Sequence, residues 1–305
     1  MDLLDKKILT ELTKNCRMTY QELSDKVGYT PNAIRKRVDK LIENGTLYSF
    51  TLRPTLNSMN ANIALTLIET DGSESPNEFI DSLGTNEMVG EVNPIVTKDH
   101  GFYLVLSDYV GANGIFDLGG FFRRLDNVIT VEMHPVMTQP IYHGRKVEFQ
   151  PLELSVMKHL YADARMSIRN LTEIANMSAR RIRKILLNLQ ESGGISFSIR
   201  WNTAAAGSIR FFLAFRYDVK TLELQKVISW LEENYEREFW LYWISTSEPL
   251  VFASFTVESI AQARRISIDV RAESPFSSVR TWICYPPRKF KTYPETWFEK
   301  LLFKE

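Results

Sequence analysis

Residues 30–41 read TPNAIRKRVDKL, and 148 positions further on residues 178–189 read SARRIRKILLNL. Each stretch opens on a hydroxyl side chain, and each carries Ile-Arg-Lys at the same place, Ile34-Arg35-Lys36 and Ile182-Arg183-Lys184. Working outward, the same offset aligns Arg17-Met18-Thr19 with Arg165-Met166-Ser167. It also aligns Leu4 with Leu152, Leu23 with Leu171 and Gly45 with Gly193, without a gap. Self-similarity at one fixed spacing is the mark of a chain written twice. Near the ends the best match slips to an offset of 151, where Val128 meets Val279.

Each copy opens with three helix signals and a strand signal. In the first, Leu4, Ile8, Leu9 and Leu12 make an amphipathic stripe. Thr19 and Glu22 have the spacing of a capping box, in which each side chain satisfies the other residue's orphan amide. Thr30-Pro31 is an N-cap followed by proline at the first helical position, where a missing N–H costs nothing. Gly45 ends that helix and LYSFTL, residues 47–52, alternates like a short strand. Leu160, Ser167, Leu171, Ser178 and Gly193-Gly194 repeat these signals in the second copy. Three short helices and a small strand predict a winged helix-turn-helix unit.

A second pattern follows each unit. ANIALTLIE predicts a strand, SPNEFIDSLG a helix, MVGEVNPIV and FYLVLSDYV a strand pair, IFDLGGFFRRL a helix and VITVEMHPV a last strand. The order βαββαβ implies a four-stranded antiparallel sheet with two helices on one face. The expected fold class is α+β, with two winged helix-turn-helix domains alternating with two ferredoxin-like βαββαβ domains. The expected boundaries are 1–52, 61–138, a linker at 139–150, then 151–200, 209–285 and a C-terminal tail at 286–305.

The composition narrows the function classes. The 305 residues hold 37 basic and 37 acidic side chains. That balance argues against a protein that coats nucleic acid, but leaves room for local basic patches. The only cysteines, Cys16 and Cys284, are far apart, which favours a reducing compartment over a disulfide scaffold. MDLLDKKILTEL carries charges where a signal peptide needs its apolar region, and apolar runs such as FFLAF are too short to span a bilayer. The expectation is a cytoplasmic, soluble protein with no membrane partner.

The two basic helices occupy the third position of a helix-turn-helix, where recognition residues belong. On the first, Ile34, Val38, Leu41 and Ile42 form the expected buried stripe, with Asn32, Lys36, Asp39 and Glu43 opposite. On the second, Ile182, Ile185, Leu186 and Leu189 turn inward, and Leu187 stands outward where Asp39 does. Cations at an exposed helix N-terminus attract phosphate, while polar side chains read base edges. The expected contacts with double-stranded DNA are Thr30, Asn32, Arg35, Lys36, Arg37 and Lys40, with Ser178, Arg180, Arg181, Arg183 and Lys184. Asn32 is the candidate base reader. A solvated helix face is the bland alternative for any single basic helix; finding two at matching places weakens it.

The LDKKILTEL opening, TYQELSDKVG, the basic third helix, GTLYSFTL and the βαββαβ domain together resemble the Lrp/AsnC (feast-or-famine) family of transcription regulators. The resemblance covers nearly the whole chain, once per copy, and is most specific over residues 2–52. It implies that the second domain is of the RAM type, that sheet domains pair back to back, and that an amino acid-like effector binds at their interfaces. It further implies a homodimer through the sheet domains or, with two copies in one chain, an internal pseudo-dimer. The family's Gly-x-x-Asp turn between the second and third strands is absent. Lys98-Asp99-His100-Gly101 stands there in the first copy and Ser247-Glu248-Pro249 in the second. Asp99 and His100 are the candidate effector-binding residues; both are also ordinary turn residues.

No stock catalytic or metal motif is present: no Gly-x-Gly-x-x-Gly, no Gly-x-x-x-x-Gly-Lys, no His-Glu-x-x-His and no Cys-x-x-Cys. The histidines His100, His134, His143 and His159 have no ligand spacing. The expectation is therefore no enzyme, no cofactor and no metal. The alternative is a tetrapyrrole enzyme, since the architecture is similar to that of siroheme decarboxylases and KDHGFYLVLS resembles their strand motif. Phe211, Phe212, Phe215, Phe239, Trp240, Tyr242, Trp243, Phe252 and Phe255 could line a ligand cavity, though such residues more often pack a core or a sheet interface.

Overall fold

The computed structural model describes residues 2–97, 100–202, 207–273 and 275–303. In chain order the first half holds α1 (Leu3–Lys14), α2 (Tyr20–Val27), α3 (Pro31–Glu43), β1 (Leu47–Pro54), α4 (Leu56–Met59) and β2 (Asn62–Thr70). It continues with α5 (Pro76–Leu83), β3 (Val89–Pro94), β4 (Phe102–Tyr109), α6 (Gly111–Arg123) and β5 (Val128–Thr138). The second half holds α7 (Pro151–Ala162), α8 (Ile168–Ala175), α9 (Ala179–Ser192), β6 (Ile195–Trp201), β7 (Ile209–Tyr217) and α10 (Leu224–Asn234). Then come β8 (Phe239–Ser245), β9 (Leu250–Val257), α11 (Ile260–Ala272), β10 (Phe276–Ile283), β11 (Arg288–Lys289) and α12 (Tyr293–Phe303). The chain divides into two compact units, one of residues 1–60, 140–206 and 294–305, the other of residues 61–139 and 207–293.

The first unit gathers both sets of three helices. The caps form as the sequence requires. The Thr19 N–H donates to Glu22 Oε2 at 2.7 Å and the Glu22 N–H to Thr19 Oγ1 at 3.2 Å. Thr30 Oγ1 accepts from the Ala33 N–H, and Ser178 Oγ from the Arg181 N–H, both at 3.3 Å. Gly45 and Gly193 close α3 and α9 at φ of 72° and 71°, left-handed conformations that a Cβ would strain. Ile8, Leu9, Leu12, Leu23, Ile34 and Val38 are fully buried in the first set, as are Val156, Met157, Leu160, Leu171, Ile182 and Leu189 in the second. Each such side chain contributes about 1.5–3 kcal/mol. Ile42, expected in the buried stripe, is 45% exposed; it lies past Leu41 in the last turn of the helix.

Among the described residues the expected wing strand β1 has no partner nearby in sequence. Instead β1 pairs antiparallel with β6, with Thr51 opposite Ser198, Leu52 opposite Phe197 and Phe50 opposite Ile199. A lone strand leaves its ladder unsatisfied, and β6 completes that of β1. A bulge at Tyr48 gives β1 one extra residue, so beyond it SFTLR (49–53) matches SFSIR (196–200) at an offset of 147.

The second unit is a nine-stranded sheet ordered β10-β7-β9-β8-β5-β2-β4-β3-β11. The four strands of each half keep the order expected of a βαββαβ domain. The halves pack face to face over a shared core and also join edge to edge through β5 and β8, with Val136 opposite Ser245. A bridge between Ile95 and Cys284 joins β3 to the end of β10, with the Val96 N–H donating to the Ile283 carbonyl at 2.8 Å. Edge strands expose unpaired backbone groups, and each junction covers such an edge. One face of the joined sheet buries Leu65, Leu104, Phe212, Trp243, Phe252 and Trp282 from both halves. The opposite face packs under helices, with Phe211, Phe215 and Phe255 against α10 and α11. Eight of the nine aromatic residues proposed for a cavity, all but Trp240, therefore fill cores or cover them.

Three sequence expectations are corrected here. In the sheet, Met133 stands opposite Thr66 as Thr281 stands opposite Leu213, so β5 and β10 correspond at an offset of 148, not 151. Residues 139–150 are not a free linker. The Asn57 N–H donates to the His143 carbonyl at 3.0 Å, the Arg145 N–H to the Gly193 carbonyl at 2.8 Å, and Asn57 Nδ2 to the Gly144 carbonyl at 2.9 Å. Residues 286–305 hold β11 and the helix α12, whose Phe298 is fully buried and whose Glu295 pairs with Arg200.

Cys16 and Cys284 are both free and buried. Burial pushes each thiol up to about 12. The thiolate is the nucleophile, so both should resist iodoacetamide in the folded protein and react on unfolding, read as mass added per chain. Full alkylation under native conditions would contradict this packing.

Candidate nucleic-acid interface

The geometry of α3 and α9 sorts the candidate residues. On α3, Thr30, Asn32, Arg35, Lys36 and Lys40 are exposed. Arg35 Nε lies 4.0 Å from Asp39, with both side chains more than half exposed, a pair that solvent screens almost completely. Lys36 and Lys40 form no ion pair with the described residues. Arg37 differs: its Nη1 lies 2.7 Å from Asp2 Oδ2 and 3.3 Å from Asp5 Oδ1. Asp2 caps α1, accepting from the Asp5 N–H at 2.9 Å. Burial acts to raise the Asp2 carboxyl, but that N–H and the Arg37 charge outweigh it and hold it below its ordinary value. Arg37 thus ties α3 to the start of α1. We expect Arg37→Ala to cost about 0.5–1 kcal/mol of stability while the salt dependence of DNA binding stays as it is. A flatter salt slope in that variant would return Arg37 to the phosphate contacts.

On α9, Ser178, Arg180, Arg181, Arg183 and Lys184 are all exposed, and none of the four cations forms an ion pair with the described residues. No acidic residue follows on this helix until Glu191. Arg180, Lys184 and Leu187 recur at helical spacing on one outward stripe, and Leu187 is 53% exposed. The matching stripe of α3 is Asn32, Lys36 and Asp39. The two helices therefore present different chemistry: amide, ammonium and carboxylate on one, guanidinium, ammonium and a leucyl side chain on the other.

The Arg-Met-Thr and Arg-Met-Ser stretches that marked the repeat have a role not visible in the sequence. Arg17 Nη1 donates to the Ala164 and Met166 carbonyls at 2.6 and 3.1 Å, and Arg165 Nη2 to the Met18 carbonyl at 3.1 Å. The Arg165 guanidinium also covers the Phe50 and Tyr20 rings at 5.0 and 5.1 Å. These reciprocal contacts, with the β1–β6 ladder, join the two helical sets within the unit that carries α3 and α9. Their signal was the repetition itself: the same arginine stands at both places.

The other candidates lie in the sheet unit. Asp99 lies outside the described residues. His100 sits in the turn before β4, with Nε2 3.2 Å from Glu69 Oε1. Sequence reasoning passed over His134, which is buried on β5. Its Nε2 is 2.9 Å from Glu132 Oε1, and its Nδ1 lies 3.3 Å from Glu248 Oε1 but off the line of a hydrogen bond. These three residues could hold a cation. Each carboxylate already has an arginine, however, Arg280 on Glu132 at 3.3 Å and Arg216 on Glu248. The two carboxylates are neutralised before any metal arrives, and the cluster is better described as a chain of ion pairs.

Residues 1–47 match the family model for a winged helix-turn-helix DNA-binding domain. An HTH-type transcriptional regulator of Pyrococcus horikoshii is 31% identical over 110 residues, 35% of this chain and 68% of that protein. The regulator LrpA of Bacillus subtilis is 51% identical over 47 residues, 15% of this chain and 35% of LrpA. The chain belongs to the Lrp/AsnC family of transcriptional regulators. It spans about half, 51%, of the length of a further relative from Pyrococcus furiosus, to which it is 35% identical over 75 residues. The fold of the whole chain is similar to the crystal structure of the siroheme decarboxylase NirDL bound to an iron-uroporphyrin III analogue. That likeness has a TM-score of 0.61 at 13% identity and covers 98% of each chain. Among the described residues no helix is long and apolar enough to cross a membrane.

Proposed function

We propose that this chain is a tandemly duplicated, sequence-specific DNA-binding regulator acting in the cytoplasm, with α3 and α9 entering the major groove at two half-sites. The observation that carries the reading is the pair of exposed basic stripes at the third helix of both helical sets. The Lys and Arg side chains supply affinity by releasing counterions from phosphate, while Asn32, Arg180 and Leu187 are placed to distinguish bases. An outward leucine fits a thymine methyl, whereas an outward aspartate accepts from cytosine N4. The half-sites should therefore differ in sequence and lie about one helical turn, roughly 10 base pairs, apart. Footprinting on a selected fragment tests this: two unequal protected half-sites are expected, and a perfect palindrome would refute the asymmetry. The sheet unit holds the assembly together. His100, with Asp99 beside it in sequence, marks the turn at which an amino acid-like effector would bind, and no catalytic role is assigned to any residue.

One observation favours a second reading. The fold likeness that spans the full chain is to a siroheme decarboxylase, and fold alone does not assign chemistry. Titration with an iron-uroporphyrin separates the two. A saturable Soret band shift at one tetrapyrrole per chain would support the enzyme, and an unshifted band supports the regulator.

A further inference from the structure

In the sheet unit, residues at matching places in the two halves carry opposite charges where the halves meet. Glu132 lies opposite Leu67 on β2, and Arg280 opposite Ala214 on β7. Leu67 and Ala214 in turn lie opposite Leu104 and Phe252 on the third strand of each domain. Glu132 and Arg280 therefore hold equivalent positions, and they face each other, with Arg280 Nη1 3.3 Å from Glu132 Oε2 and Nη2 3.4 Å from Oε1. Two equivalent residues touch only where a pseudo-twofold axis passes between them.

The reversal extends to either side of that axis. His134 on β5 matches Trp282 on β10, since they lie opposite Leu65 and Phe212. His100 and Glu248 each stand two residues before the strand that follows, and Glu69 and Arg216 lie opposite Phe102 and Leu250. On one side of the axis the buried His134 meets Glu248, which Arg216 holds. On the other, Trp282 stands in the histidine's place, stacked on Phe252 at 6.3 Å and covered by the Arg280 guanidinium at 5.2 Å. There the turn contact runs in the opposite sense, from the His100 ring to Glu69.

Pairing like with like would break the two contacts that cross between the halves, Glu132 with Arg280 and His134 with Glu248. Two first halves joined in the same way would set Glu132 against Glu132 and leave the buried His134 facing His100 instead of Glu248. Two second halves would set Arg280 against Arg280 and press Trp282 against Glu248 and Arg216. Like charges held face to face, and buried rings that lose a partner, are the elements by which an interface rejects a wrong partner. The β1–β6 ladder of the first unit carries no such charge reversal, because SFTLR and SFSIR are equivalent in character around Thr51 and Ser198. The edge pairs Val136 with Ser245 and Ile95 with Cys284 are likewise neutral.

We infer that the sheet seam is a heterotypic recognition surface whose partner is the unlike half of this chain, and that it excludes like halves. The inference rests on the two-copy reading proposed above. A chain so built is satisfied internally and does not exchange halves with its own kind to form like pairs.

The test uses the full chain carrying a protease site between Lys146 and Val147. The folded protein is cut, unfolded in denaturant, refolded and weighed by native mass spectrometry. Random recombination would give roughly half of all pairs as like pairs, while discrimination of about tenfold or more, a difference of 1.4 kcal/mol, leaves them a small minority. Arg280→Glu places glutamate at the axis in every pairing and should raise the like fraction several-fold. The double reversal Glu132→Arg with Arg280→Glu restores opposite charges and should lower it again, which separates charge matching from general loss of fold. Random proportions in the wild type would overturn the selectivity while leaving the two-copy reading intact. Failure of the cut wild-type halves to recombine in any pairing, where the uncut chain refolds, would overturn both.

Discussion

Replacing Arg210 with methionine should cost about 3–5 kcal/mol near neutral pH, the largest single loss of stability expected in the sheet unit. Arg210 Nη1 lies 2.6 Å from Glu91 Oε1 and 3.1 Å from Asn93 Oδ1, and Nε donates to Ser254 Oγ at 3.3 Å. The guanidinium also stacks over Phe212 at 4.8 Å. Arg210 and Glu91 are each less than a fifth exposed, so deleting the arginine leaves a carboxylate with poor access to water. Burial acts to raise the Glu91 carboxyl, but Arg210, Lys289 and the hydrogen bonds outweigh it and hold it below its ordinary value of 4.5. A carboxyl depressed in the fold contributes stability above its unfolded value and loses that contribution as pH falls through its folded value. The methionine variant can escape its penalty by protonating Glu91. The gap between wild type and variant, read from urea midpoints, should therefore be widest at pH 7 and narrow below 4.5. A gap of under 1 kcal/mol at pH 7, or one that widens in acid, would show that this ion pair does not hold β7 to β3.

The second large effect concerns DNA. Changing Arg35, Lys36, Arg183 and Lys184 together to alanine should reduce the slope of log binding constant against log salt by about 3 to 4, at roughly 0.9 for each phosphate no longer neutralised. Affinity should fall at least a hundredfold at low salt for the same reason. The two helices are not expected to contribute equally. All four cations of α9 are exposed and unpaired among the described residues, whereas α3 commits Arg37 to Asp2 and Asp5 and sets Arg35 beside Asp39. Alanine at Arg180, Arg183 and Lys184 should flatten the slope more than alanine at Arg35, Lys36 and Lys40. Equal effects, measured by fluorescence anisotropy across a salt series, would show that Asp39 does not weaken the α3 contact.

Much of this was legible because helix caps are local. Thr19 with Glu22, Thr30 before Pro31 and Ser178 at the head of α9 fix helix starts within a few residues of chain, and the structure forms each one. The βαββαβ order followed from strand alternation for the same reason. The long-range features were less accessible. That β1 pairs with β6 depends on two strands 148 residues apart, and no local signal tells a wing strand that lacks a hairpin where its partner lies. The commitment of Arg37 to the α1 cap was hidden as well. Helical phase alone could not show that Asp2 and Asp5 would come within reach. His134 has no motif around it, and only its burial between a carboxylate of its own strand and one of the turn before β9 marks it out.

That α3 and α9 make this chain a sequence-specific DNA binder is tested most directly by selecting bound fragments from sheared genomic DNA. Wild type is run beside the variant with alanine at Arg35, Lys36, Arg183 and Lys184. A small set of fragments should be enriched by the wild type, share two unequal half-sites about one turn apart, and be missing from the variant's selection. Enrichment of the same fragments by both proteins, or by neither, would contradict DNA reading by these two helices.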